Sequence, residues 1–181
     1  MYLYLIRHGI AGDLESVTPT DNDLSTQKTI DLDELRSLTK VGRKKIAQVA
    51  DRLAKLDVTF DLIITSPLVR ARQTAEILSD RQISTQLQVS EDLKPMGNLP
   101  AWLMWWQART FDDPISTLAV VGHEPNLSHW AELFIFGKVV DRLVLKKGGI
   151  IGLKFDDDRL AIGTAQLICL LTPKYLVDSK I

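Results

Sequence analysis

Three times along the chain an apolar run gives way to a helical pattern. Residues 2–6, YLYLI, show no polar alternation, as strands buried on both faces of a parallel sheet do. After a polar stretch comes VGRKKIAQVADRLAKL (41–56), where Ile46, Val49, Ala50 and Leu53 fall on one face at helical spacing. FDLIIT (60–65) leads into SPLVRARQTAEIL (66–78), with Ser66 placed to cap, Pro67 at the first helical position, and Leu68, Ala71, Ala75 and Leu78 as the buried stripe. STLAVV (116–121) leads into GHEPNLSHWAELFIF (122–136), whose apolar face is Leu127, Trp130, Ala131 and Phe134. The late segments GGIIGLKF and AQLICLL read as strands that complete or flank the sheet. Trp102, Trp105 and Trp106 recur at i, i+3 and i+4, the spacing of a helix packed on a core. Alternating strands and helices predict a three-layer α/β/α sandwich with a mainly parallel central sheet.

Between the first strand and its helix, residues 13–37 are polar and weakly periodic, with a short helical stretch expected near 31–35. They read as a surface excursion over or near whatever site the strand ends build. At 181 residues the chain suits one domain with a sizeable core. A net charge of -1 argues against a broad nucleic-acid surface. No apolar run reaches the length that crosses a membrane, and no basic segment precedes the first one, so the expected location is cytoplasmic. The single Cys169 cannot form an internal disulfide; inside LICLL it reads as a buried structural thiol.

Chemistry concentrates at the strand-to-helix junctions, which lie on one edge of a parallel sheet. The first carries Arg7-His8-Gly9, the second Arg70, the third His123-Glu124. Arg72 has Glu76 one turn on, whereas Arg70 has no acid three or four residues away. A cation in a first helical turn is unfavourable against the helix dipole, unless an anion sits there. Two imidazoles and two guanidiniums suit phosphoryl transfer: a neutral imidazole can attack phosphorus, and arginines grip phosphate oxygens and offset developing charge. The carboxylates that magnesium would want are absent from these junctions. Three histidines and one cysteine, without H-x-x-x-H spacing, supply no zinc set. No metal or other cofactor is expected. His129, inside a helix, and the short basic pairs at 43–45 and 146–147 read as ordinary surface features.

LIRHGIA, ITSPLVRARQTAEIL and VVGHEPNLS together resemble the histidine phosphatase superfamily, which includes the phosphoglycerate mutases. The L-T-x-x-G of Leu38, Thr39 and Gly42, LKPMG at 93–97, and KKGGIIGLKF resemble more narrowly its SixA-type phosphohistidine phosphatases. The resemblance implies that His8 is the nucleophile, that Arg7 and Arg70 bind the phosphoryl group, and that His123 completes the pocket. Gly9 then allows close backbone approach beside the phosphate. Many relatives carry a glutamate after the second helix as general acid. The corresponding stretch here reads EDLKPMG, which leaves Glu124 as the candidate acid. The implied substrate is phosphohistidine in a phosphotransfer protein; a small phosphometabolite, or a non-catalytic module that binds phosphoproteins, are the alternatives.

Overall fold

The computed structural model describes residues 1–13, 32–84, 86–110, 114–157 and 159–177. The elements run β1 (Tyr2–Arg7), α1 (Lys40–Lys55), β2 (Leu62–Thr65), α2 (Val69–Asp80), β3 (Leu87–Val89), α3 (Leu99–Gln107), β4 (Thr117–Gly122), α4 (Asn126–Phe136), β5 (Ile150–Lys154), β6 (Gln166–Leu171) and α5 (Pro173–Leu176). One helical turn at 32–35 precedes α1. The six strands form one sheet in the order β3-β2-β4-β1-β5-β6. β1, β2, β3 and β4 pair in parallel, while β5 runs against both β1 and β6. Five strands therefore share a direction and β5 alone is reversed.

The central strands alternate between two cores, which makes the three layers. Leu3, Leu5, Leu62, Ile64, Leu118 and Val120 meet α3 and α4 through Trp102, Trp130 and Phe134. Ile6, Ile63, Ala119 and Val121 meet α1 and α2 through Val49, Leu53, Ala71, Ala75 and Leu78. The expected helical faces are the buried ones, and Trp102 and Trp106 lie in the first core. At roughly 1.5–3 kcal/mol for each large apolar side chain taken out of water, these two layers supply most of the drive to fold.

Local chemistry sets the helix ends. Thr39 caps α1, its hydroxyl accepting from the Gly42 N–H at 2.9 Å. A Cβ on Gly42 would stand 2.1 Å from the Ile10 carbonyl oxygen, so only glycine lets the helix start press on the chain leaving β1. α2 begins later than its sequence suggests. Leu68 takes the cap position without a side-chain bond, and Ser66 Oγ accepts from the Leu68 N–H at 3.3 Å. β3 was not anticipated, because three half-exposed residues show no apolar period. Cys169 is half-buried rather than buried: β6 is an edge strand, so its apolar run does not imply cover on both faces. Among the described residues no helix is long and apolar enough to cross a membrane.

One buried acid has a structural task. Glu132, on α4, is fully buried, and its carboxylate accepts from four successive backbone amides. Those of Val140 and Asp141 reach Oε2 at 2.6 and 2.8 Å, and those of Arg142 and Leu143 reach Oε1 at 2.6 and 2.8 Å. Burial pushes its pKa up, but the four donors outweigh burial and hold it down at about 2. Glu132→Ala strands four donors and should cost at least about 3 kcal/mol in a urea titration. Because the folded pKa lies below the unfolded value of 4.5, this contribution is complete above that value. It should fade as pH falls toward about 2, and a pH series of melts on wild type and variant checks the window.

Candidate active site

The carboxyl ends of β1, β4 and β2 are level. Arg7 lies opposite Gly122, and Thr65 opposite Val121. The His8 N–H donates to the Gly122 carbonyl and the Ser66 N–H to the Val121 carbonyl, both at 3.0 Å. The three junctions therefore open at one height and bring Arg7, His8, Arg70 and His123 together. The His8 and His123 ring centroids are 5.1 Å apart. His8, His123 and Arg70 are 7%, 3% and 5% exposed, so water screens their charges poorly.

His8 Nδ1 lies 2.7 Å from the Gly9 carbonyl oxygen. A carbonyl only accepts, so the ring proton is on Nδ1 and the Nε2 lone pair is left for chemistry. Burial lowers the His8 pKa to about 3, with Arg70, Arg7 and Lys147 adding to it against the opposing pull of the Gly9 bond. At neutral pH the ring is uncharged. His123 Nε2 stands 2.9 Å from Ser66 Oγ. That hydroxyl also accepts from the Leu68 N–H, and with one proton and a second lone pair it pairs with Nε2 in either tautomer of the ring. Burial, then His8 and Arg70, lower the His123 pKa to about 3 as well.

Two polar atoms in this group are buried without a hydrogen-bond partner: His123 Nδ1 and Arg7 Nε. Arg7 donates through Nη1 to the Leu145 carbonyl at 2.9 Å, which fixes the guanidinium. A buried donor without an acceptor costs about 1–3 kcal/mol. An oxyanion within reach of the Arg7 Nε–H would remove that cost. Among the described residues no three His, Cys, Asp or Glu side chains group together as metal ligands.

Arg70 has an acid partner, 37 residues upstream in the chain. Its Nη2 donates to Asp33 Oδ2 at 2.9 Å and its Nη1 to the Asp33 carbonyl at 2.6 Å. A search one helical turn either side of Arg70 cannot find such a partner. Within the 13–37 excursion, residues 14–31 lie outside the described residues, while the turn at 32–35 sits on the site. The Gly9 amide donates to Thr74 Oγ1 at 3.1 Å, so that donor is engaged inside the protein. A Cβ at Gly9 would meet Ile46 Cγ1 at 2.7 Å, so the close approach at this glycine is to α1. Glu124 accepts from Ser128 at both carboxylate oxygens, from its N–H at 3.1 Å and from its hydroxyl at 2.7 Å. It thus serves the first turn of α4. His129 pairs with Asp141 at 2.9 Å on the exposed side of α4. Sequence reasoning missed four neighbours of the site. Ser66 was read only as a cap, Thr74 and Asp33 gave no signal, and Lys147 near His8 was read as solvated surface.

Comparison with known proteins gives these positions a context. Residues 3–114 match the model of the histidine phosphatase superfamily (branch 1). An uncharacterized protein of Picosynechococcus sp. is 41% identical over 181 residues, covering 98% of this chain and 99% of the relative. Among solved structures, the protein histidine phosphatase SixA complexed with tungstate superposes with a TM-score of 0.74 at 21% identity, covering 97% of this chain and 99% of that one. The alpha-ribazole phosphatase from Shigella flexneri gives 0.62 at 19% identity, over 96% and 97% of the two chains. A phosphoserine phosphatase mutant from Entamoeba histolytica gives 0.60 at 17%, over 97% and 99%. The structural likenesses speak for the fold, and the sequence match settles the family. With its two histidines and two arginines gathered at the strand ends, the chain belongs to the histidine phosphatase superfamily.

Proposed function

We propose that this chain is a metal-independent phosphatase that works through a phosphorylated His8, with phosphohistidine in a phosphotransfer protein as its substrate class. The observation that carries the reading is a neutral His8 with its Nε2 lone pair free, gathered with Arg7 and His123, whose Nε and Nδ1 are buried without partners. In the first step Nε2 attacks phosphorus. The Nε2–P bond forms as the bond to the leaving nitrogen breaks, and that nitrogen keeps the electron pair. Arg7, Arg70 and His123 hold the equatorial oxygens as charge shifts onto them. In the second step water forms the new O–P bond, Nε2–P breaks, and phosphate leaves.

The leaving group favours phosphohistidine. A phosphoimidazole protonated on its other nitrogen departs as neutral imidazole and needs little help, whereas an alkoxide needs an acid. The candidate acid Glu124 is held by Ser128. A small phosphomonoester is the second reading, supported by the fold shared with alpha-ribazole and phosphoserine phosphatases.

The test follows loss of phosphate from a phosphohistidine-carrying phosphotransfer protein, with EDTA present, for wild type and His8→Ala. Wild type should clear the carrier, and the variant should be slower by on the order of 10³-fold or more. Cleavage of sugar phosphates far faster than the carrier would move the substrate to small molecules, and no turnover of either would sink the enzyme reading. Arg70→Ala should cost about 10²-fold in kcat/KM. In the free protein both site imidazoles should remain uncharged from about pH 8 down to about pH 5, with His8 as the Nδ1–H tautomer. Nitrogen-15 chemical shifts of the rings read this directly.

A further inference from the structure

The Arg70–Asp33 contact sets a guanidinium meant for an external anion against an internal one. Both terminal nitrogens of Arg70 donate to Asp33, one to its carboxylate and one to its carbonyl. The two partners differ in freedom. The Arg70 side chain is 6% exposed at the start of α2, whereas that of Asp33 is 34% exposed on a single helical turn. That turn is tied down by polar contacts at the rim. Arg36 Nη1 reaches Asp33 Oδ1 at 2.8 Å, Arg36 Nε reaches the Gly12 carbonyl at 2.6 Å, and Lys94 Nζ stands 3.0 Å from Glu34 Oε1. Pairs exposed to this degree are individually weak. The guanidinium is the buried member of the pair, and the carboxylate is the one with room to turn toward solvent.

We propose that Asp33 is an internal competitor for the phosphoryl-binding edge of Arg70. An incoming phosphoryl group displaces it, and its return lowers the affinity of the site for free phosphate. This rests on the reading of the site as a phosphoryl pocket. Asp33 partly neutralises the cation that an oxyanion needs, and its own charge repels a dianion a few ångströms away. Both effects have the same sign. They weaken the binding of inorganic phosphate, the product of the proposed reaction, and so favour its release.

The experiment is calorimetric titration of inorganic phosphate into wild type, Asp33→Asn, Asp33→Glu and Asp51→Asn at one pH and ionic strength. Asparagine keeps an acceptor for Nη2 and the backbone carbonyl for Nη1 but removes the charge. Its Kd should fall on the order of tenfold. Asp33→Glu keeps the charge and should not tighten binding. Asp51→Asn removes an equal charge near the far end of α1 and should stay within about twofold of wild type. An unchanged or weaker affinity in Asp33→Asn would overturn the proposal and make Asp33 a group that merely holds Arg70 in place. Equal tightening in Asp51→Asn would overturn it too, since net charge would then suffice. If no variant binds phosphate, the phosphoryl pocket itself fails, and both readings fall together.

Discussion

The register of three parallel strands is the constraint on which the rest depends. Hydrogen bonds from the His8 and Ser66 amides to the carbonyls of Gly122 and Val121 hold the β1, β4 and β2 ends at one height. A slip of one residue would turn each exit to the other face of the sheet and part the two imidazoles. The cores above and below enforce the register, because Leu3, Leu5, Ile6, Ile63 and Ile64 have no solvated alternative. Packing in the middle of the sheet thus sets distances at its edge.

The same burial sets the chemistry. Two imidazoles close together, with two guanidiniums beside them in a dry cleft, favour the uncharged form of each ring. A hydrogen bond then chooses which nitrogen of His8 is bare, because the Gly9 carbonyl can only accept, while the Ser66 hydroxyl pairs with His123. Cationic guanidiniums around neutral imidazoles leave the site short of negative charge. Asp33 supplies that charge from the protein itself.

Much of this was legible in the chain. YLYLI, DLIIT and TLAVV are long enough as apolar runs to be read as central strands, and the helical faces follow from their spacing. The residues at the junctions could be named because each ends a strand in a side chain that plain turns do not use. What stayed hidden depends on distance in sequence. Asp33 meets Arg70 across 37 residues, and the Thr74 hydroxyl bridges the Gly9 amide and the Arg70 carbonyl. Glu132 binds a loop that lies well beyond its own helical turn. None of these leaves a local period. Cys169 shows the opposite failure, since an apolar strand at a sheet edge reads like one at the centre.

The reversal of β5 has a consequence for how such a site can be altered. The other walls of the pocket are exits of parallel strands, each committed to a crossover helix. At β5 the chain instead enters the sheet beside the pocket, through Gly148 and Gly149. The Gly148 amide lies 3.0 Å from the carbonyls of both Arg7 and His8, and the Arg7 amide donates to Gly149. The chain reaches that point from α4 by way of the segment whose amides Glu132 holds. This wall is therefore hung from α4 through the Glu132 carboxylate. Residues added between the anchor and the glycines would build over the edge where His8 and His123 meet while leaving β1, its neighbours and their helices in place. The surroundings of the two imidazoles can vary along this one connection without a new fold.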